Sequence, residues 1–174
     1  MDDARYPIGP FGLGKDVTEA DREGWITVLE GAPANLRDAV SGLSDAQLDT
    51  PYRAGGWTVR QLVHHLPDSH LNSYVRFKWA LTETVPVIKP YFEDRWAELP
   101  DTFGTPVEIS LDLLTALPGR WVVLLRALPG RDFARRFVHP ETGAQTLQES
   151  LAYYAWHSEH HIAQIISLRE RNGW

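Results

Sequence analysis

The sequence predicts an all-α protein: a four-helix bundle with one long crossover and an extended N-terminal arm. Three observations carry that expectation. Helix-start signals recur along the chain, four long stretches space their apolar residues at helical intervals, and nearly all the histidine falls on two of those stretches.

The elements follow in order. Residues 1–15 include Tyr6-Pro7-Ile8-Gly9-Pro10-Phe11-Gly12, which cannot be regular helix yet carries an aromatic pair worth burying, so an arm laid on the bundle is expected. The first helix is read over residues 18–43 from the spacing of Trp25, Val28, Leu29, Leu36, Val40 and Leu43. Ser44, with Gln47 three residues on, opens a short helical turn; Thr58, with Gln61, opens the second long helix, over residues 58–84. Residues 85–109, with Pro86, Pro90, Pro100 and Pro106, exceed the usual connection length and read as a packed crossover that covers something. The third helix is read over residues 110–128 from Leu113, Leu114, Leu117, Trp121, Leu124 and Leu125. Pro33 and Pro118 fall inside the first and third helices, where a kink or split is expected. Residues 129–145, containing His139-Pro140-Glu141-Thr142-Gly143, fit a small β-hairpin. Thr146 with Glu149 opens the last helix, over residues 146–172, with Gly173 as its C-cap.

A chain of 174 residues makes one domain, spanning residues 1–174, able to bury roughly 70% of its unfolded surface. Lys+Arg 17 against Asp+Glu 23 leaves a net −6, which offers no basic footprint for nucleic acid. Cysteine is absent, and that excludes disulfides, thiolate metal ligands, iron–sulfur clusters and an intrinsic thiol nucleophile together. The start, Met1-Asp2-Asp3, is acidic, and no stretch approaches ~18 uninterrupted apolar residues. A soluble, cytoplasmic protein without a membrane partner is expected.

On the last helix His157 and His161 lie four residues apart, about one turn along a single face, where two imidazoles can share an ion. His160 is the alternative within that group. The second helix offers His64, His65 and His70, of which only one should point inward. Rotation at roughly 100° per residue places Gln61, Ser69, Asn72 and Arg76 near His65 and Asp68 within roughly 60°, while His64 and His70 lie roughly 100° and 140° away. Such a stripe can be an ordinary solvent face. The last helix favours a buried polar stripe instead, because Tyr153, His157, His161 and Gln164 share one side of a segment apolar on several others. Three imidazoles without a fourth protein ligand describe an open, catalytic-type site; zinc is the default ion, and nickel fits the same ligands.

The chain resembles the DinB-like superfamily of four-helix bundles, and within it the YfiT-like metal-dependent hydrolases related to bacillithiol transferases. The resemblance rests on Tyr6-Pro7-Ile8-Gly9, Gly55-Gly56-Trp57, His64-His65-Leu66, Asp68-Ser69-His70, Asn72-Ser73-Tyr74 and Trp156-His157 with His160-His161-Ile162-Ala163. It implies ligand roles for His65, His157 and His161, one zinc or nickel ion per chain, a cytoplasmic location and a homodimer. Pro67 and Gln164 depart from the family's pattern, which carries a non-proline at the first and often a histidine at the second.

Three functions are compatible with these residues. In the first, the ion lowers the pKa of a low-molecular-weight thiol such as bacillithiol, which is transferred to an electrophilic substrate, with Arg76 and Lys78 meeting its carboxylates. In the second, the ion activates water for hydrolysis and Asp68 is the general base, or else an acceptor that orients a ligand imidazole. The third is a non-catalytic metal-binding or dimerisation module, for which the seven tryptophans supply an aromatic surface. The arm and crossover are expected to shield the pocket without affecting metal content.

Overall fold

The computed structural model describes residues 4–14 and 16–174; Met1, Asp2, Asp3 and Lys15 of the expected arm lie outside the described residues. Four long helices, α1 (Glu19–Val40), α3 (Val59–Thr82), α6 (Val107–Ala127) and α7 (Leu147–Asn172), form the bundle. Helix α1 packs on α6 and α7, and α3 packs on the same two. The first two long helices in the chain are therefore diagonal partners, and the pair that carries the histidines, α3 and α7, is adjacent.

The helix starts follow from reciprocal capping. Thr58 Oγ1 accepts from Gln61 N at 3.1 Å while Gln61 Oε1 accepts from Thr58 N at 2.9 Å. Thr146 and Glu149 repeat the pattern at 3.1 and 2.6 Å. Each pair satisfies amides that a helix start leaves open. The start of α1 uses the same device with an aspartate, Thr18 with Asp21, in place of the longer acidic or amide side chain. Gly173 closes α7 in the left-handed conformation, at φ 68°. Capped by Pro106, α6 begins at Val107, three residues before the expected start, and α1 stops at Val40 rather than at residue 43. Neither α1 nor α6 is split by its proline; both run through Pro33 and Pro118.

Between the long helices lie short ones. The turn α2 (Asp45–Leu48) precedes α3, and the crossover carries α4 (Glu93–Trp96) and α5 (Pro100–Gly104). Gln61 Nε2 donates to Ala97 O at 3.1 Å and to Glu98 Oε1 at 3.0 Å, tying the crossover to the first turn of α3. After α6 a 3-10 turn (Gly130–Ala134) leads into an antiparallel hairpin, β1 (Arg136–His139) with β2 (Gly143–Thr146), in register Arg136 to Thr146. Val87 bridges Val138 in parallel, so the crossover continues the hairpin. The arm lies on α7: Trp156 Nε1 donates to Gly9 O at 3.2 Å, and Phe11 packs on Tyr153 and Trp156.

The core has two parts. One gathers Leu36, Val59, Leu62, Leu66, Leu114 and Ile165, and the other Leu29, Phe77, Trp121, Phe137, Leu147 and Leu151. On α3 and α7 the residues between these two clusters are polar and buried: Ser69, His70, Ser73 and Arg76 on one helix, His157, Ser158 and His160 on the other. The polar layer therefore sits at the seam between two hydrophobic clusters. No helix among the described residues is long and apolar enough to cross a membrane.

Candidate metal centre

His65 reaches the seam from α3, and His157 and His161 reach it from α7. Nε2 of His157 stands 3.2 Å from Nε2 of His65 and 3.1 Å from Nε2 of His161. One ring nitrogen from each of the three lies within 4.8 Å of the others. The rings meet edge to face, His65 and His161 at 81° and His157 and His161 at 89°, so ring nitrogens converge and the rings do not stack. Imidazole nitrogens that share one tetrahedral ion stand about 3.3 Å apart, so the donor set fits a single divalent ion.

Burial keeps these three imidazoles neutral. His65 and His157 are held well below the ordinary imidazole range, first by burial and then by His161, and burial pushes His161 down to about 4. A neutral imidazole offers the lone pair that a cation needs. Trp57, at the turn before α3, packs edge-on against His65 at 4.7 Å and stacks on His161 at 6.4 Å, which walls off one side. Gln164 Oε1 accepts from His161 Nδ1 at 2.8 Å.

The other histidines are placed differently from the sequence reading. All three on α3 are buried, not one alone, because His64 pairs with Ser110 on α6 at 2.7 Å and His70 with Ser158 on α7 at 2.9 Å. Only His65 faces the cluster. His160 stacks on Trp156 at 4.6 Å and receives a hydrogen bond from Gln164, so it stands behind the site and not among the converging nitrogens.

The cluster opens into a cavity of about 910 Å³ between the arm, the turn before α3, the crossover, the hairpin and α7. Arg76 lines it. That side chain is 9% exposed, its Nη1 lies 3.4 Å from the Tyr154 hydroxyl, and its Nε is buried without a hydrogen-bond partner. Asp68 does not line the cavity and makes no hydrogen bond to any of the three histidines. Its position, roughly 60° around α3 from His65 where Arg76 is only roughly 20° away, turns it aside. Burial, and then Asp101, raise its carboxyl to about 6.

Other cavity residues carry no signal in the sequence. Tyr91 reaches the wall from the crossover and His139 from the hairpin, two segments whose packing no helical periodicity announces. Burial raises the Tyr91 phenol and pushes Tyr153 up to about 12, so both keep their protons, and burial, followed by Arg76, lowers His139.

A four-helix bundle with three neutral imidazoles at metal-ligand spacing, opening into a cleft, defines the class. The family model described as the DinB superfamily matches residues 29–165, and the chain belongs to that superfamily. A solved structure described as "YfiT from Bacillus subtilis is a probable metal-dependent hydrolase with an unusual four-helix bundle topology" is 51% identical, covers 99% of both chains and superposes with a TM-score of 0.96. Relatives from Bacillus cereus (strain 03BB102) and Bacillus thuringiensis subsp. konkukian (strain 97-27) are each 53% identical over the full length of both chains, and both carry the name "Putative metal-dependent hydrolase".

Proposed function

We propose that the chain is a metal-dependent enzyme in which His65, His157 and His161 hold one divalent ion, zinc or nickel, and that it transfers a small carboxylate-bearing thiol to an electrophile. The observation that supports a carboxylate-bearing ligand is the buried Arg76 guanidinium, which faces the cavity without a carboxylate partner among the ion pairs of the described residues. A buried cation without a counter-charge is costly, and a carboxylate on the ligand would relieve it. When bound, the ion would lower the pKa of a thiol or a water. The chain's own residues do the rest. Arg76 orients the carboxylate, the protonated Tyr153 and Tyr91 phenols offer donors, and Trp57, the arm and the crossover limit bulk water. No protein thiol competes, because the chain has no cysteine.

Hydrolysis is the second reading, favoured by the names of the relatives and by Glu93 and Glu141 in the cavity wall, which supply carboxylates that Asp68 does not. One titration separates the two. Cobalt-loaded protein given bacillithiol should develop a saturable near-ultraviolet sulfur-to-cobalt band. No band at millimolar thiol, together with metal-dependent cleavage of an ester or amide, would replace transfer by hydrolysis.

A further inference from the structure

We propose that Gln164 is a positioning residue that selects the tautomer of His161, and that the N-terminal arm fixes Gln164 in the orientation this requires. The inference rests on the metal reading of the three histidines and extends it to residues that touch no ion.

A neutral imidazole carries one proton, and only the bare nitrogen can be a ligand. In His161 the nitrogen facing the cluster is Nε2, 3.1 Å from His157 Nε2, and Nδ1 lies 2.8 Å from Gln164. Which end of the carboxamide meets Nδ1 decides where the proton sits, and the partners of the other end settle it. That end lies 2.9 Å from the backbone carbonyl of Arg5, a group that can only accept, so it must be the NH2. Its second proton goes to His160 Nε2, also at 2.9 Å. The amide oxygen therefore faces His161, Nδ1 carries the proton, and the Nε2 lone pair points at the cluster.

Flipping the amide would set two oxygens against each other at the Arg5 carbonyl. Gln164 is 2% exposed, so water cannot relieve the conflict. The Arg5 carbonyl is itself located by the arm, through the Tyr6 ring at 5.5 Å from His160, the Gly9 carbonyl on Trp156 and Phe11 on Tyr153. The relay runs from arm to amide to ligand. The arm consequently affects metal binding as well as water access, in contrast to the expectation from sequence that it only shields the pocket.

The test uses full-length protein and reads the tautomer directly. In metal-free wild type, imidazole ¹⁵N shifts should report His161 protonated on Nδ1. Gln164→Ala should lose that preference and bind zinc ~10–100-fold more weakly in competition with a chelator. Gln164→Glu keeps an acceptor at Nδ1 but presents oxygen to the Arg5 carbonyl, so it should restore the tautomer while amide exchange in residues 4–11 accelerates. Phe11→Ala, with Gln164 intact, should loosen the arm and weaken zinc binding in the same direction. An unchanged tautomer and zinc affinity in Gln164→Ala would overturn the proposal, and an unchanged affinity in Phe11→Ala with a loosened arm would overturn the arm's part in it. If wild type takes up no zinc, the functional reading fails, and the ¹⁵N result still decides whether Gln164 sets the tautomer.

Discussion

Nε2 of His65 lies 3.2 Å from Nε2 of His157, although 92 residues separate the two in the chain. The contact exists because α3 and α7 are adjacent in the bundle and both place polar residues in the seam between two apolar clusters. At this distance two neutral imidazoles can share one proton as an N–H···N bond, or both present lone pairs to a cation held between them.

Arg76 gives the first prediction. Arg76→Ala should raise the concentration of carboxylate-bearing thiol needed for half-saturation ~10–100-fold, the size of a charge-assisted hydrogen bond, with zinc content unchanged. Arg76→Lys should recover part of the loss. A fall in zinc content in Arg76→Ala would instead give the guanidinium a role in holding the site together.

Acid should destabilise the metal-free protein, and the sign follows from where the protons go. His70 is fully buried, and its pKa is pushed down to about 3, first by burial and then by His161. The unfolded imidazole titrates near 6.5, so below that pH the unfolded chain binds a proton that the folded chain refuses. Stability falls as the pH drops from about 6.5 toward 3, by up to ~1.4 kcal/mol per pH unit for one such group. His65, His157 and His161 act in the same direction. Asp68 opposes them, because its carboxyl is raised from 3.8 to about 6 and the folded state holds the extra proton between those values. Denaturation of metal-free protein between about pH 8 and pH 5 should show the decline, and His70→Asn should show a shallower one. Identical slopes would contradict a neutral, buried His70.

Gly56 occupies the turn that presents Trp57 to His65. A Cβ there would stand 2.7 Å from Tyr52 Cε1 and 2.8 Å from Arg53 Cγ, and the Tyr52 ring is buried. Gly56→Ala should lower stability by ~1–3 kcal/mol, measured as a shifted denaturation midpoint with unchanged slope. An unchanged midpoint would mean that both side chains move aside freely.

The legible parts of this molecule are those fixed by local chemistry. Thr58 with Gln61 and Thr146 with Glu149 cap their own helices, so the sequence contains both partners within one turn. Helical rotation alone set His65 and Arg76 on one face. What it left out depends on distant partners. His64 and His70 are buried because Ser110 and Ser158 receive them, 46 and 88 residues away. Asp68 shares the polar stripe of α3, yet a rotation of roughly 60° takes it out of the cavity wall, and periodicity does not show which edge of a stripe faces the cleft. His139 and Tyr91 enter from irregular segments, where no pattern indicates direction.

Metal content decides whether His65, His157 and His161 hold one divalent ion. Protein purified without an affinity tag, dialysed and analysed by elemental mass spectrometry should carry one equivalent per chain. His64→Ala and His70→Ala should retain that equivalent in whatever fraction remains folded. His65→Ala, His157→Ala and His161→Ala should each lose most of it and lose the thermal stabilisation that added zinc gives. Equal metal content in all five variants would contradict the assignment.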